Sequence, residues 1–315
     1  MDAIITAQPI AHLLVALDGS RLAESAIGPA ITLAQRFDGR VTLLHILERG
    51  APETVHGERH LTNLGEAEAY LTGIASRFAD AGVPTETHAH PSPEEDVATS
   101  IAVHALGHRA DLIIMCAHGR GGWRDWFLGG IAQRTVRRAA APILLIRQET
   151  KGPTTTFAPR TVTVALDGTA EGERALPAAL ALAAAMEASL HLLLVVATLA
   201  TVGGDRAASA RLMPSAASAA LDQESSGARD YLAQLRERLA PHTIPITIEV
   251  QRGAPVQAVL ASATRSGDNL VALVTHGRAG LEAIFSASVG AQVVARSTGP
   301  LLLVGARQQG RAATD

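Results

Sequence analysis

Val15-Ala16-Leu17-Asp18-Gly19-Ser20 is the stretch that decides the reading, because it returns as Val164-Ala165-Leu166-Asp167-Gly168-Thr169. Further along each half, Ala117-His118-Gly119-Arg120 returns as Thr275-His276-Gly277-Arg278. Ala141-Pro142-Ile143-Leu144-Leu145-Ile146 then matches Gly299-Pro300-Leu301-Leu302-Leu303-Val304. The offset is 149 residues at the first block and 158 at the other two, so block order is kept while inner loops differ in length. A repeat of this length is a duplicated domain rather than a solenoid unit of about 20–50 residues.

Working outward from those blocks, each half alternates short apolar runs with helical periodicity. In the first half the strand-like runs are 12–17, 41–47, 85–90, 111–116 and 142–146. Between them, helical spacing covers 21–37, with Ser20 as N-cap, then 61–81, 94–107 and 131–139. The second half repeats the order, with strands near 161–166, 190–196, 244–250, 270–274 and 301–304. Its helices fall near 170–187, 219–239, 255–266 and 289–297. Continuous apolar strands alternating with helices mean a parallel sheet covered on both faces. The fold class is therefore α/β, with two tandem open parallel five-stranded sheets carrying helices on both faces. The domains read as 1–149 and 161–307, joined by a linker over 150–160 and followed by a loose tail over 308–315. Residues 202–218, rich in Gly, Ala and Ser, read as a loop.

Composition narrows the function classes. Of the 315 residues 47% are hydrophobic but only 3% aromatic, so the core is aliphatic. A formal net charge of −3 makes no electrostatic case for nucleic acid or an anionic membrane surface. The single cysteine, Cys116, excludes an intrachain disulfide and suits a reducing compartment. Residues 1–11 lack the basic and apolar regions of a signal peptide, and no stretch reaches the ~18 apolar residues of a membrane span. The expectation is a cytoplasmic protein.

Ligands of an open parallel sheet collect beyond the carboxyl ends of the strands, where strand order reverses. Asp18 ends the first strand, and the loop from His118 to Gly130 follows the fourth and runs into a helix. Its glycines allow close approach of backbone amides to an anion at a helix N-terminus. Asp18-Gly19-Ser20 could equally be a strand-to-helix turn with a structural cap.

On these residues the chain resembles the universal stress protein family in its tandem form, over essentially the whole sequence. The resemblance implies an adenine nucleotide α-hydrolase-like, Rossmann-like fold and a nucleotide-binding regulatory or stress-response module. Its ATP-binding members carry Gly-x-x-Gly-x9-Gly-Ser/Thr after the fourth strand. Here Cys116 stands at the first glycine, Gly119 and Gly129 are kept around a nine-residue gap, and Gly130 replaces Ser/Thr. In the second half Val274 replaces the first glycine and Ala287 the third, while Gly277 and Ser288 are kept. The first repeat is thus the better candidate. The resemblance further implies that backbone at Ile46 (Val195 in the second repeat) holds adenine, with ribose near Met115 and Cys116. Asp18 and Asp167 would contact base or ribose. The implied cofactor is ATP, with or without Mg2+. The implied partners are an internal pseudo-dimer of the repeats seamed at their fifth strands, a further homodimer, and a regulatory protein. The alternatives are an interaction scaffold that binds no nucleotide and a slow ATP hydrolase.

No Ser or Cys nucleophile with a supporting carboxylate accompanies His118 or His276, so loop bracing is the reading there and no catalytic residue is assigned. His104 and His108, four apart on a helix, lack a third metal ligand on sequence grounds and read as a solvated face. His45 reads as a core histidine and Cys116 as a packing residue. Trp123, Trp126 and Phe127, three of nine aromatics, fall in one loop and suggest a lid or a partner contact.

Overall fold

The computed structural model describes residues 4–48, 54–55, 58–59, 61, 63–91, 96–116, 130–147, 157–202, 205–265, 269–275 and 289–305. It divides into two compact units. One is built on the first repeat and contains the described residues of 9–158, 275–280 and 300–315; the other contains those of 1–8, 159–274 and 281–299.

In the first-repeat unit, β1 (His12–Ala16) is joined through a 3-10 turn (Ala23–Ala26) and α1 (Ile27–Arg36) to β2 (Arg40–Leu47). A short hairpin, β3 (Thr54–Val55) with β4 (Glu58–Arg59), precedes α2 (Leu64–Asp80) and β5 (Thr85–Pro91). Then come α3 (Val97–Gly107), β6 (Leu112–Cys116), α4 (Gly130–Arg138) and β7 (Ile143–Ile146). The parallel order is β5-β2-β1-β6-β7. Strand order therefore reverses between β1 and β6. Leu13, Leu14, Val15, Ile113 and Ile114 in those two strands have no exposed surface, as strands covered on both faces require.

Helix ends follow local chemistry. Asn63 caps α2, its Oδ1 accepting from Glu66 N–H at 2.9 Å. Asp96 caps α3, accepting from Ala98 N–H at 2.9 Å and Thr99 N–H at 3.1 Å, and also pairs with Arg138 at 3.0 Å. The sequence reads residues 21–37 as one helix, but the structure begins it as the separate 3-10 turn at Ala23–Ala26. Leu22, not Ser20, takes the N-cap position of that turn, while Ser20 Oγ accepts from Ala23 N–H at 3.1 Å just ahead of it.

The second-repeat unit holds β8 (Thr161–Leu166), a 3-10 turn (Gly172–Ala175), α5 (Leu176–Ala185) and β9 (Ser189–Val196). These are followed by α6 (Asp205–Leu212), α7 (Pro214–Leu239), β10 (Ile246–Arg252), α8 (Pro255–Thr264), β11 (Asn269–Thr275) and α9 (Val289–Arg296). Its parallel order, β10-β9-β8-β11, repeats the first. Residues 205–218, read from sequence as loop, are almost wholly helical instead. The segment is rich in alanine, the best helix former, and Pro214 occupies the first turn of α7, where its missing N–H costs nothing. The last strand, β12 (Leu301–Gly305), groups with the first-repeat unit and pairs antiparallel with β7, Leu302 opposite Leu144.

Candidate functional site

The reversal between β1 and β6 gathers four residues singled out in the sequence. Asp18 follows β1 by two residues, Met115 and Cys116 end β6, and Ile46 lies near the end of β2. Ala16 pairs in register with both Leu44 and Met115, so these three strand ends are adjacent. Leu17 N–H extends the ladder to Leu44 O at 2.9 Å, and the buried His45 donates from Nδ1 to Leu17 O at 2.8 Å. His45 is thus a core histidine, and it fixes the backbone from which Asp18 projects.

Asp18 is half-buried and oriented by its own turn. Its Oδ1 accepts from Ser20 N–H at 2.9 Å and from Ser20 Oγ–H at 2.6 Å. Gly19, at φ +87°, makes that turn possible: a Cβ there would lie 2.8 Å from Leu61 Cδ1 and would strain the backbone as well.

Cys116 is buried, and its Sγ accepts from Ser25 Oγ–H at 3.2 Å. Ser25, on the 3-10 turn, gives the side chain that replaces a motif glycine a polar neighbour. Arg147, directly after β7, lies close to Cys116. Burial lowers its pKa. The position 158 residues later is Gly305, so the second repeat has no equivalent cation there. Gly130 begins α4. His118, Gly119 and Gly129 lie outside the described residues, as do Gly277 and Ser288 and the aromatic trio Trp123, Trp126 and Phe127.

The second repeat keeps the turn. Asp167 Oδ1 accepts from Thr169 N–H at 3.0 Å and from Thr169 Oγ1–H at 2.6 Å, and Gly168 is at φ +80°. Here the aspartate is exposed rather than half-buried. Val195 is half-buried opposite Gln251 on β10, whereas Ile46 is buried opposite His90 on β5.

A feature that the sequence does not reveal is an acid–arginine strut in each repeat. Glu24 pairs with Arg77 of α2 at 3.2 Å, and Glu173, its counterpart at the 149-residue offset, pairs with Arg238 of α7 at 2.9 Å. Each strut ties the 3-10 turn after the aspartate to the following long helix. In the second repeat Tyr231 adds an Oη–H bond to Glu173 Oε1 at 3.0 Å. Burial, then the charge of Glu173 and that hydrogen bond, push its phenol well above the usual range. The matched Glu pair is visible when the two repeats are aligned; its arginine partners are not, because they sit at different distances along the two helices.

Among the described residues no helix is long and apolar enough to cross a membrane. A functionally unknown protein from Pseudomonas aeruginosa PAO1 has a similar structure, with TM-score 0.65 at 14% identity over 94% of this chain and 92% of that one. A universal stress protein from Archaeoglobus fulgidus DSM 4304 gives 0.62 at 16% identity over 93% and 96%. Both show the same fold. In sequence, universal stress protein YxiE of Bacillus subtilis (strain 168) is 24% identical over 148 residues, 43% of this chain and 97% of that protein. Residues 9–147 and 159–305 each match the Universal stress protein family, nearly the whole length of both repeats, and the chain belongs to that family.

Proposed function

We propose that this protein is an ATP-binding regulatory module of the stress-response type, with the nucleotide held in the first repeat. The observation that carries the reading is the half-buried Asp18, locked by Ser20 at the point where strand order reverses, beside the ends of β2 and β6. A carboxylate oriented by its own turn at this place suits a ribose hydroxyl or an adenine amino group. Backbone at Ile46 would hold the base, and Met115 and Cys116 would flank the ribose. The amides of Gly119, Gly129 and Gly130 would take the phosphates, aided by the N-terminus of α4. Arg147 adds positive charge to this repeat alone. Asp167, Val195, Gly277 and Ser288 are the corresponding second-repeat residues; Val274 and the exposure of Asp167 make that the weaker site. We assign no catalytic base, and this reading carries slow hydrolysis at most.

A scaffold that binds no nucleotide is the second reading, favoured by Cys116 and Gly130. The first puts a side chain where the family motif has glycine, and the second removes a hydroxyl worth about 1 kcal/mol or somewhat more against a charged oxygen. Calorimetry with ATP separates the readings. Gly119→Val should remove most of the binding by placing a side chain where phosphate meets backbone, and Gly277→Val should matter less. Equal losses would refute the asymmetry, and no heat with wild type would favour the scaffold.

A further inference from the structure

The sequence pairs His104 with His108 on α3 and shows no third ligand. The fold supplies two. His88 and His90 are two apart on β5, so they share one face of that strand. His104 of α3 meets that face. Its ring centroid lies 4.9 Å from that of His88 and 4.7 Å from that of His90, while the rings of His88 and His90 stack 5.8 Å apart. One nitrogen from each ring can be chosen so that all three lie within 4.8 Å of one another, and all three residues are half-buried.

We infer that His88, His90 and His104 form a three-imidazole site for a borderline divalent transition metal, with Zn2+ as the reference ion. Tetrahedral zinc with Zn–N bonds of about 2.0–2.1 Å needs nitrogens roughly 3.4 Å apart. A bound ion would draw the nitrogens together by the remaining ångström or so through side-chain rotation. His104 is already oriented to ligate, because its Nδ1–H donates to Ser100 O at 2.7 Å, which fixes the tautomer and leaves the Nε2 lone pair for a metal. A backbone carbonyl behind a ligating histidine is the usual supporting partner.

The donor set also selects the ion. Three neutral imidazoles offer no oxygen, so Mg2+ and Ca2+ are disfavoured while Zn2+, Cu2+, Ni2+ and Co2+ fit. The three ligands leave a fourth position for water or for a group from a partner. The ion would join an edge-facing strand to the helix that follows it. The site belongs to one repeat alone, because β10 and α8, the matching elements of the second, contain no histidine.

The test uses the full chain, free of any affinity tag and stripped of metal. Calorimetry with Zn2+ should give one ion per chain at micromolar affinity or tighter, and Co2+ should produce the visible absorption of a tetrahedral site. His88→Ala, His90→Ala and His104→Gln should each weaken zinc binding by at least about tenfold. His191→Gln in the second repeat should leave it unchanged, since His191 is engaged by Thr247 and Glu249. Far-UV circular dichroism establishes that each variant is folded; the near-isosteric His104→Gln keeps the site testable should an alanine variant fail. No zinc binding by wild type, or full binding by the three variants, would overturn the assignment.

Discussion

Replacing Asp18 by alanine and, separately, Asp167 by alanine makes each repeat the control for the other. Both carboxylates accept the same two bonds from the residue two places on, at 2.9 and 2.6 Å in one repeat and 3.0 and 2.6 Å in the other. The structural cost of removal should therefore be similar, about 0.5–2 kcal/mol for the loss of a cap of this kind. Asp18 belongs at the upper end because it is the more buried. For units of this size about 1 kcal/mol lowers the melting midpoint by about 2–4 °C. Affinity should separate the two variants. A carboxylate that bonds the nucleotide contributes about 1.5–3 kcal/mol, so Asp18→Ala should weaken ATP binding roughly ten- to hundredfold. Asp167→Ala should leave the dominant binding event nearly intact. The assay is calorimetric titration with ATP alongside thermal melting of the same samples. If both variants lose the same few degrees and Asp18→Ala binds ATP like wild type, Asp18 is a structural cap and the reasoning fails.

Two other outcomes follow from the same geometry. His12 is buried, its Nδ1–H donating to His108 O at 2.9 Å and its Nε2 lying 2.8 Å from Thr42 Oγ1. Burial, then the charge of Arg40, holds it below the usual imidazole range, so below about pH 6.5 the unfolded chain gains a proton that the fold resists. Stability should decline as pH falls through that window, and His12→Gln should flatten the decline in urea midpoints; an identical slope in the variant would count against it. Trp123 and Trp126 are the only tryptophans and both lie between Gly119 and Gly129, so intrinsic fluorescence should change on ATP addition. An unchanged signal at saturation, with binding shown independently, would leave the aromatics as a partner-binding patch.

The duplication and the parallel order were legible because both rest on local pattern. Runs such as Leu112–Cys116 suit strands buried on both faces, and Asp-Gly-Ser or Asp-Gly-Thr after such a run specifies its own turn. Sequence misleads where composition is ambiguous or where contacts are distant along the chain. Residues 202–218 read as a loop because Gly, Ala, Ser and a proline fill them, yet alanine is the best helix former and the proline opens a helix. The sequence reads the helix after Ser20 as continuous because 3-10 and α turns share nearly the same apolar spacing. His88 and His90 alternate visibly, but nothing in the sequence says that α3 folds back onto that face. Ser25 beneath Cys116 and Arg77 against Glu24 are likewise products of packing.

Adenine nucleotide is proposed to bind in the first repeat, beside Asp18 and the ends of β2 and β6. The most direct test is titration of the full-length wild-type chain with ATP at constant Mg2+. One dominant site per chain with micromolar affinity is expected. No detectable binding at millimolar ATP, or two sites of equal affinity, would contradict it.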